Sequence, residues 1–235
     1  FGSKTGIDLP GEAEGGIFSK EKLHQVELAT SSFGQGQTVT MIQLASAFSA
    51  VINGGNYYQP HVVKEINSES GAVVSSNDNT LVKRVVSEDA SKLIRKYLEK
   101  TVEDDEGTAS PARVKGYVIG GKTGTAEKWP RNEGKYLVSF AGFTPTDKPE
   151  LMIYVVIDEP HVSDQAHSTY ATEFASEVLK DVLPMLGIYK QTGKSDSAKK
   201  ITLPSTKKGN QLLEVPKGGF SSSTYKVAKS KKNNG

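Results

Sequence analysis

Apolar side chains recur at helical spacing in three parts of the chain. This spacing predicts helices over residues 40–52, 88–102 and 169–183, each with one apolar face. Capping or helix-breaking residues at the ends of these segments support the three predictions. They are Thr40 with Gln43, then Gly54 and Gly55 at the first helix, Ser87 before the second, and Pro184 and Gly187 after the third.

Extended segments are predicted between the second and third helices. Residues 117–128, 135–144 and 150–157 are rich in strand-forming residues, and turn-forming residues occupy 130–134 and 145–149. This order is typical of an antiparallel meander. The last segment contains Leu-Met-Ile-Tyr-Val-Val-Ile, which is apolar at every position and so suits a strand covered on both faces. We therefore predict an α+β fold, with an antiparallel sheet between helices.

The charge is distributed unevenly along the chain. The net charge is +2, but the part from Lys190 onward carries 11 Lys against Asp196 and Glu214, which leaves −7 on the rest. We therefore predict a globular domain over residues 1–189 and a basic, solvated, disordered tail over residues 190–235. A basic tail could instead contact an anionic partner, whether nucleic acid, lipid headgroups or cell-wall phosphate, and no interleaved aromatic residues decide between these. No nucleic-acid partner is expected.

Composition excludes several classes of protein. The chain has no cysteine, and therefore neither a disulfide framework nor a thiol nucleophile. No apolar run approaches the roughly 20 residues of a membrane span, and residues 1–14 lack the basic start and apolar core of a signal peptide. Residues 1–33 are Gly-rich and predicted to be irregular, while residues 57–86 are predicted to form short strands. Because the chain begins with Phe1 inside a turn-rich segment, we expect it to be part of a longer protein.

One segment matches a nucleotide-binding motif. Residues 116–123, Gly-Tyr-Val-Ile-Gly-Gly-Lys-Thr, fit the phosphate-loop pattern Gly-x4-Gly-Lys-Thr, and residues 151–158 form an apolar stretch that ends in an acid. A phosphate loop requires a buried strand before its first glycine and a helix after its lysine, because the helix N-terminus binds the phosphate. Residues 110–115 do not suit a buried strand, and Pro130 excludes a long helix. We therefore interpret the match as coincidental.

Lys122-Thr123-Gly124 has a second interpretation, as a strand beside a catalytic cleft. Lys-Thr-Gly is a signature of penicillin-binding proteins and serine β-lactamases, beside Ser-x-x-Lys and Ser-x-Asn. Over residues 1–188 the chain resembles the C-terminal half of the transpeptidase domain of class B penicillin-binding proteins, which implies a partial penicillin-binding/serine β-lactamase-like fold. The stretches that carry the resemblance are Gly-Ile-Asp-Leu-Pro-Gly-Glu from Gly6, Ser-Phe-Gly-Gln-Gly-Gln-Thr-Val-Thr from Ser32, Asn-Gly-Gly-Asn-Tyr-Tyr-Gln-Pro-His from Asn53, and Gly-Lys-Thr-Gly-Thr-Ala-Glu-Lys from Gly121.

The resemblance implies a role for each residue of this strand. Lys122 would place a cation beneath the cleft, and Thr123 would donate its hydroxyl to the carboxylate of the substrate. Gly124 would let the substrate backbone come close because it has no side chain. The backbone N–H of Thr125 would donate to the oxyanion that forms during acyl transfer.

Glu127 is a further candidate for substrate binding. Side chains alternate along a strand, so Glu127 is expected on the face of Thr123 and Thr125, near the carboxylate-binding end of the cleft. There it would oppose the charge of Lys122 and disfavour anionic ligands. The alternative is that Glu127 points into solvent, or pairs with Lys128 or Arg131, and does not affect binding.

The serine nucleophile of the family is not identified in this chain. A nucleophile of this kind needs a lysine one helical turn away and a fixed position at a helix start. The four serine-lysine pairs with that spacing lie in the basic tail or in the irregular first segment, and Ser75-Ser76-Asn77 resembles Ser-x-Asn but is expected in a polar turn. The four pairs are Ser19/Lys22, Ser197/Lys200, Ser205/Lys208 and Ser223/Lys226.

No metal site or cofactor is expected. The acids and histidines of residues 158–167 have a spacing that fits no closed ligand set, and they are predicted to lie in a solvated loop. These residues are Asp158, Glu159, His161, Asp164 and His167.

The resemblance implies peptidoglycan cross-linking by a D,D-transpeptidase, with stem peptides as substrates and β-lactams as covalent inhibitors. It also implies an extracytoplasmic position at the bacterial membrane, and cell-wall or divisome proteins as partners. This chain alone is expected to be inactive without its nucleophile half. The alternatives are a β-lactamase or D,D-carboxypeptidase of the same fold, a noncatalytic penicillin-sensing or scaffold fragment, and the disfavoured phosphate-loop protein.

Overall fold

Helices form where the apolar spacing predicts them. The computed structural model describes residues 1–190, and its helices are α1 (Gln25–Ser31), α2 (Met41–Ile52), α3 (Glu88–Glu103) and α4 (Thr169–Met185). The predicted capping box of α2 is confirmed, because Thr40 accepts from the N–H of Gln43 at 3.2 Å and donates its own N–H to the Gln43 side chain at 3.0 Å. The prediction that α4 ends before Pro184 was wrong, because Pro184 lies in the last turn, where its missing N–H removes only one hydrogen bond.

Helix α1 lies inside the segment that was predicted to be irregular. Its apolar residues Val26 and Leu28 are 69% and 58% exposed, so the helix buries no apolar face in the described part of the chain. Val26 and Leu28 are two positions apart and so form no apolar stripe at helical spacing. The sequence therefore carried no signal for α1.

Short strands occupy residues 56–84, as predicted. Strand β1 (Asn56–Tyr58) pairs with β4 (Leu81–Arg84), and β2 (Glu65–Asn67) pairs with β3 (Val73–Ser76), both antiparallel. Ser75 and Ser76 lie in β3 with exposed side chains, so the prediction of a polar turn at this position was wrong. The serines are exposed on a narrow two-stranded hairpin.

The predicted meander forms the main sheet. Strands β5 (Gly120–Glu127), β6 (Tyr136–Thr144) and β7 (Leu151–Asp158) pair antiparallel in the order β5-β6-β7. The register aligns Lys122 with Ala141, and Ala141 with Tyr154. This register determines which side chains of β5 share a face with the core.

The two faces of the sheet pack against different helices. Phe140 and Val155 belong to the buried cluster that includes Ala171 and Leu179 of α4. Phe143 lies an odd number of positions from Phe140 in β6, so its side chain is on the other face of the sheet. The centre of its ring lies 6.1 Å from the centre of the Phe48 ring in α2. The prediction of a sheet between helices is therefore confirmed.

Glycines face each other under an aromatic ring in the sheet. Gly121 in β5 is paired with Gly142 in β6. A Cβ added at Gly121 would lie 2.4 Å from the ring of Phe140, and a Cβ added at Gly142 would lie 2.5 Å from the same ring. Gly120 is equally confined, because a Cβ added there would lie 2.6 Å from the ring of Phe143. These glycines are required because rings occupy the space of their side chains.

Side-chain hydrogen bonds hold the irregular N-terminal segment. The amide of Gln43 donates to the carbonyls of Ser3 at 2.6 Å and Glu14 at 2.8 Å. The carboxylate of Asp8 accepts from the N–H groups of Val62 and Val63 at 2.8 Å and 2.9 Å, and these bonds, that of Val62 first, lower the pKa of Asp8. These bonds thus connect the first segment to α2 and to the residues after β1.

Candidate active site

Strand β5 has one open edge in the described part of the chain. Its only strand partner there is β6, and the N–H of Lys128 donates to the carbonyl of Lys135 across the hairpin at 2.9 Å. Backbone groups alternate in direction along an antiparallel strand, so the N–H groups of Thr123, Thr125 and Glu127 point away from β6. The open edge therefore presents backbone donors and acceptors to a ligand.

Helix α3 closes the beginning of this edge. The hydroxyl of Thr101 donates to the carbonyl of Gly121, and the carboxylate of Glu103 accepts from the N–H of Ile119 at 3.0 Å. Burial raises the pKa of Glu103, and the nearby Glu99 acts in the same direction, while the Ile119 N–H and Arg113 oppose the shift. The open part of the edge consequently begins at Thr123.

The side chains around this edge are accessible. Lys122 and Thr125 are exposed, Thr123 is half-buried, and the ammonium of Lys122 donates to the carbonyl of Thr123 at 2.7 Å. A Cβ on Gly124 would lie 2.6 Å from the hydroxyl oxygen of Ser139, so a neighbouring strand fills part of the space that this glycine leaves. A cation, a hydroxyl and outward N–H donors are thus brought together over a few residues.

Glu127 is held by the loop that follows β5. Its carboxylate accepts from the N–H of Asn132 at 2.7 Å, and Asn132 has a positive φ of 67°. The sequence predicted either a place near the cleft or a contact with solvent, Lys128 or Arg131. A side-chain bond to the loop backbone was not among these alternatives.

The β5–β6 loop is braced at its base and exposed at its tip. The ammonium of Lys128 lies 2.9 Å from Asp158 and 2.6 Å from Glu159, and these bonds, that to Glu159 first, raise the pKa of Lys128. Trp129 is 80% exposed, and the guanidinium of Arg131 lies 5.5 Å from the centre of its ring. Two of the acids that the sequence placed in a solvated loop therefore hold the end of β5.

The structure excludes the phosphate-loop interpretation. Gly120–Glu127 is a strand, whereas a phosphate loop needs a helix to begin after Lys122. Gly120 and Gly121 are confined by aromatic rings and line no phosphate cradle. The match between residues 116–123 and the motif is coincidental, as predicted.

The one serine of the predicted serine-lysine pairs that lies among the described residues has no fixed position at a helix start. Ser19 is exposed and precedes a short 3₁₀ helix, Lys20–Lys22, without a side-chain capping bond. The other three serine-lysine pairs of the prediction lie outside the described residues, as does the predicted basic tail apart from Lys190. Within residues 1–190 no group of His, Cys, Asp and Glu has the arrangement of a metal site. In that same range, no helix is both long and apolar enough to cross a membrane.

Comparison with known proteins identifies similar sequences. A family described as "Penicillin binding protein transpeptidase domain" matches residues 1–180. The chain is 43% identical over 92% of its length to stage V sporulation protein D of Bacillus subtilis, and covers 33% of that protein. It is 30% identical over 78% of its length to the probable peptidoglycan D,D-transpeptidase PenA of Neisseria meningitidis, and covers 29% of it. The chain thus spans about a third of the length of these relatives.

Solved structures show the same fold. Penicillin-binding protein 3 of Mycobacterium tuberculosis superimposes with a TM-score of 0.72 at 26% identity, over 80% of this chain and 45% of that protein. The same protein has been solved in complex with ampicillin and with aztreonam. A transpeptidase domain of penicillin-binding protein 3 from Burkholderia pseudomallei gives a TM-score of 0.68 at 27% identity, over 81% of this chain and 55% of that domain.

Proposed function

Because the chain belongs to the class B penicillin-binding transpeptidases, we propose that it supplies the substrate-binding strand of a peptidoglycan D,D-transpeptidase. In this reaction a serine oxygen bonds to the penultimate carbonyl carbon of a D-Ala-D-Ala stem peptide. The peptide C–N bond breaks, and the terminal D-Ala leaves with the proton of the serine. The amine of a second stem then displaces the serine oxygen, which forms the cross-link and restores the hydroxyl.

The outward N–H of Thr125 is the observation that carries this proposal. An oxyanion needs a donor that is already in place and has no other acceptor. The N–H of Thr125 points to the open edge of β5 and has no acceptor among the described residues. Its neighbours on this edge can bind an extended peptide as an added strand.

The neighbouring side chains fit the ends of such a peptide. Lys122 provides a cation for the terminal carboxylate of the substrate and can favour the neutral form of a nearby lysine base. Thr123 donates its hydroxyl to the same carboxylate. Gly124 allows the ligand backbone to approach from the edge, and Glu127 contributes through the loop that its carboxylate holds.

The cellular setting follows from the same proposal. The natural substrates are stem peptides of the cell wall, and β-lactams are the inhibitors that imitate them, as the ampicillin and aztreonam complexes of the tuberculosis relative illustrate. The full-length protein would act on the extracytoplasmic side of the bacterial membrane. Other proteins of cell-wall assembly or division are its proposed partners.

Removal of the Thr125 N–H tests the function. In the full-length polypeptide, Thr125→Pro deletes the outward donor and leaves the β5–β6 ladder bonds intact, since proline is tolerated on an edge strand. We expect the rate of acylation by a fluorescent penicillin to fall about 100-fold or more, as for other lost oxyanion donors. The control Thr125→Val keeps the backbone N–H, and its acylation rate should fall much less.

A second pair of variants tests the cation. Lys122→Ala should slow acylation, whereas Lys135→Ala, which removes a lysine paired with Glu133 in the same hairpin, should leave it unchanged. Equal rates for wild type, Thr125→Pro and Lys122→Ala would contradict the proposed site. If the acyl-enzyme transfers its acyl group only to water and never to an amine, the alternative of a β-lactamase or D,D-carboxypeptidase of the same fold would be favoured.

A further inference from the structure

The proposed site fixes the direction of the acyl donor along β5. The terminal carboxylate of the donor lies at Lys122 and Thr123, and the scissile carbonyl, one residue earlier in the donor, lies at the N–H of Thr125. The donor chain must therefore continue from Thr125 toward Glu127 and the β5–β6 loop. This inference rests on the proposed function, because the direction comes from the assigned roles of these residues.

The length of the strand determines what the donor meets next. Trp129 follows Thr125 by four positions, which corresponds to about 13 Å at the rise of an extended chain. A donor paired with the edge has nearly the same rise. The part of the donor about three or four residues before the scissile bond therefore arrives at Trp129.

Trp129 offers a suitable surface for this part of the donor. It is the only tryptophan of the chain, and its side chain is 80% exposed. The guanidinium of Arg131 lies 5.5 Å from its ring centre, within the range of a cation–π contact that orients both groups. An apolar ring face beside a cation fits a peptide segment that carries an acidic group.

The loop that carries Trp129 is held by hydrogen bonds and ion pairs that need no ligand. The Asn132 N–H donates to Glu127, which closes the loop across its width. The Lys128 ammonium binds both Asp158 and Glu159 at the end of β7, and the Lys128 N–H donates to Lys135. A prearranged surface loses little conformational entropy on binding, so contacts there contribute more fully to affinity.

We propose that Trp129, oriented by Arg131, is a specificity-determining residue that contacts the acyl donor upstream of the scissile bond. The site that it forms favours long donor peptides over short ones. Glu127 is a positioning residue for this site, since its carboxylate accepts from the Asn132 N–H and so holds the loop.

Donor length provides the test. In the full-length polypeptide, kcat/KM is measured for a tripeptide and a hexapeptide that both end in D-Ala-D-Ala, the hexapeptide carrying an acidic residue near its start. Trp129→Ala should lower kcat/KM for the hexapeptide about tenfold, the scale of one aromatic contact, and leave the tripeptide unchanged. Tyr189→Ala, which removes another highly exposed aromatic residue, is the matched control and should affect neither donor.

The loop variants separate positioning from contact. Glu127→Ala removes the acceptor of the Asn132 N–H and should reduce the preference for the hexapeptide by a few-fold, whereas Glu127→Gln retains an acceptor oxygen and should keep most of it. The inference would be overturned if Trp129→Ala lowered kcat/KM equally for the tripeptide and the hexapeptide, or lowered it for neither. If the wild type neither uses the tripeptide nor reacts with penicillin, the proposed function fails and the inference with it.

Discussion

Replacement of Gly121 by alanine tests the packing of strand β5 against the ring of Phe140. Gly121 is buried in β5, and a Cβ there would lie 2.4 Å from two ring carbons of Phe140 and 2.8 Å from the carbonyl oxygen of Ala141. Ordinary contacts of a methyl carbon are about 1 Å longer. Because Phe140 is fully buried, its ring cannot move out into solvent.

Opposing effects determine the magnitude. Alanine restricts the unfolded chain more than glycine, which favours the variant by about 0.5–1 kcal/mol in a strand. Overpacking of a close-packed interior costs about 1–3 kcal/mol. The added methyl group would clash with both a ring and the backbone, so we expect an overpacking cost in the upper part of that range. After the gain from alanine is subtracted, Gly121→Ala should lower the free energy of unfolding by about 1–2 kcal/mol.

Urea unfolding of the chain measures this change, and a second glycine of the strand serves as the control. A Cβ on Gly124 would meet only the hydroxyl oxygen of Ser139, whose Cβ lies 3.9 Å away, so the hydroxyl can rotate aside. Gly124→Ala should therefore keep all or part of the gain of about 0.5–1 kcal/mol that alanine brings in a strand, and should not lower the free energy of unfolding. The two variants introduce the same methyl group into the same strand.

A double-mutant cycle shows whether the ring of Phe140 causes the loss. Phe140→Leu removes ring atoms that Gly121→Ala would contact, so the double variant should be more stable than the sum of the two single changes predicts, by about 1 kcal/mol. Additive effects within about 0.3–0.5 kcal/mol would show that the two sites are independent. The explanation of the glycine pair by aromatic packing would then be wrong.

Other predictions concern charge, nucleotides and labelling. Since burial raises the pKa of Glu103, the stability that protonated Glu103 contributes is present at low pH and is lost as the pH rises above 4.5 through its folded pKa. In thermal unfolding at several pH values, the melting temperature of Glu103→Gln should rise relative to that of the wild type as the pH increases from 4.5 through the folded pKa of Glu103. The same pH dependence of melting temperature in both proteins would contradict the assignment of the raised pKa to Glu103. Calorimetry should detect no magnesium-dependent binding of ATP or GTP, and micromolar binding abolished by Lys122→Ala would restore the phosphate-loop interpretation. The chain by itself should not be labelled by fluorescent penicillin on denaturing gels, and a label found on Ser19 by mass spectrometry would show that it carries a nucleophile.

The elements that bury one face were predictable from the sequence. Helices α2, α3 and α4 pack apolar residues at helical spacing, which a periodic sequence records, and strands β6 and β7 are rich in apolar strand-forming residues. Helix α1 could not be found in this way because Val26 and Leu28 remain exposed. The serines of β3 were assigned to a turn because strands that bury neither face show no alternation.

Part of the candidate site could not be predicted from local pattern. The residue types at Lys122 to Thr125 indicated the chemistry, but the direction of the Thr125 N–H depends on which strand pairs with β5 and in which register. The bond from Asn132 to Glu127 depends on the path of the loop backbone, which side-chain alternation does not describe. Contacts such as Gln43 with Ser3 connect residues 40 positions apart, and no local sequence signal indicates them.

The outer strands of the main sheet differ in how they would meet another polypeptide. The open edge of β5 is short, because Thr101 and Glu103 occupy its beginning and the Pro130 turn ends it. An exposed edge can act as a template for aggregation, and shortening it is a common protection. Strand β7 has eight residues, seven of them apolar, and β6 is its only strand partner in the described part of the chain. One sheet thus combines a short, polar open edge in β5 with a longer, apolar outer strand in β7.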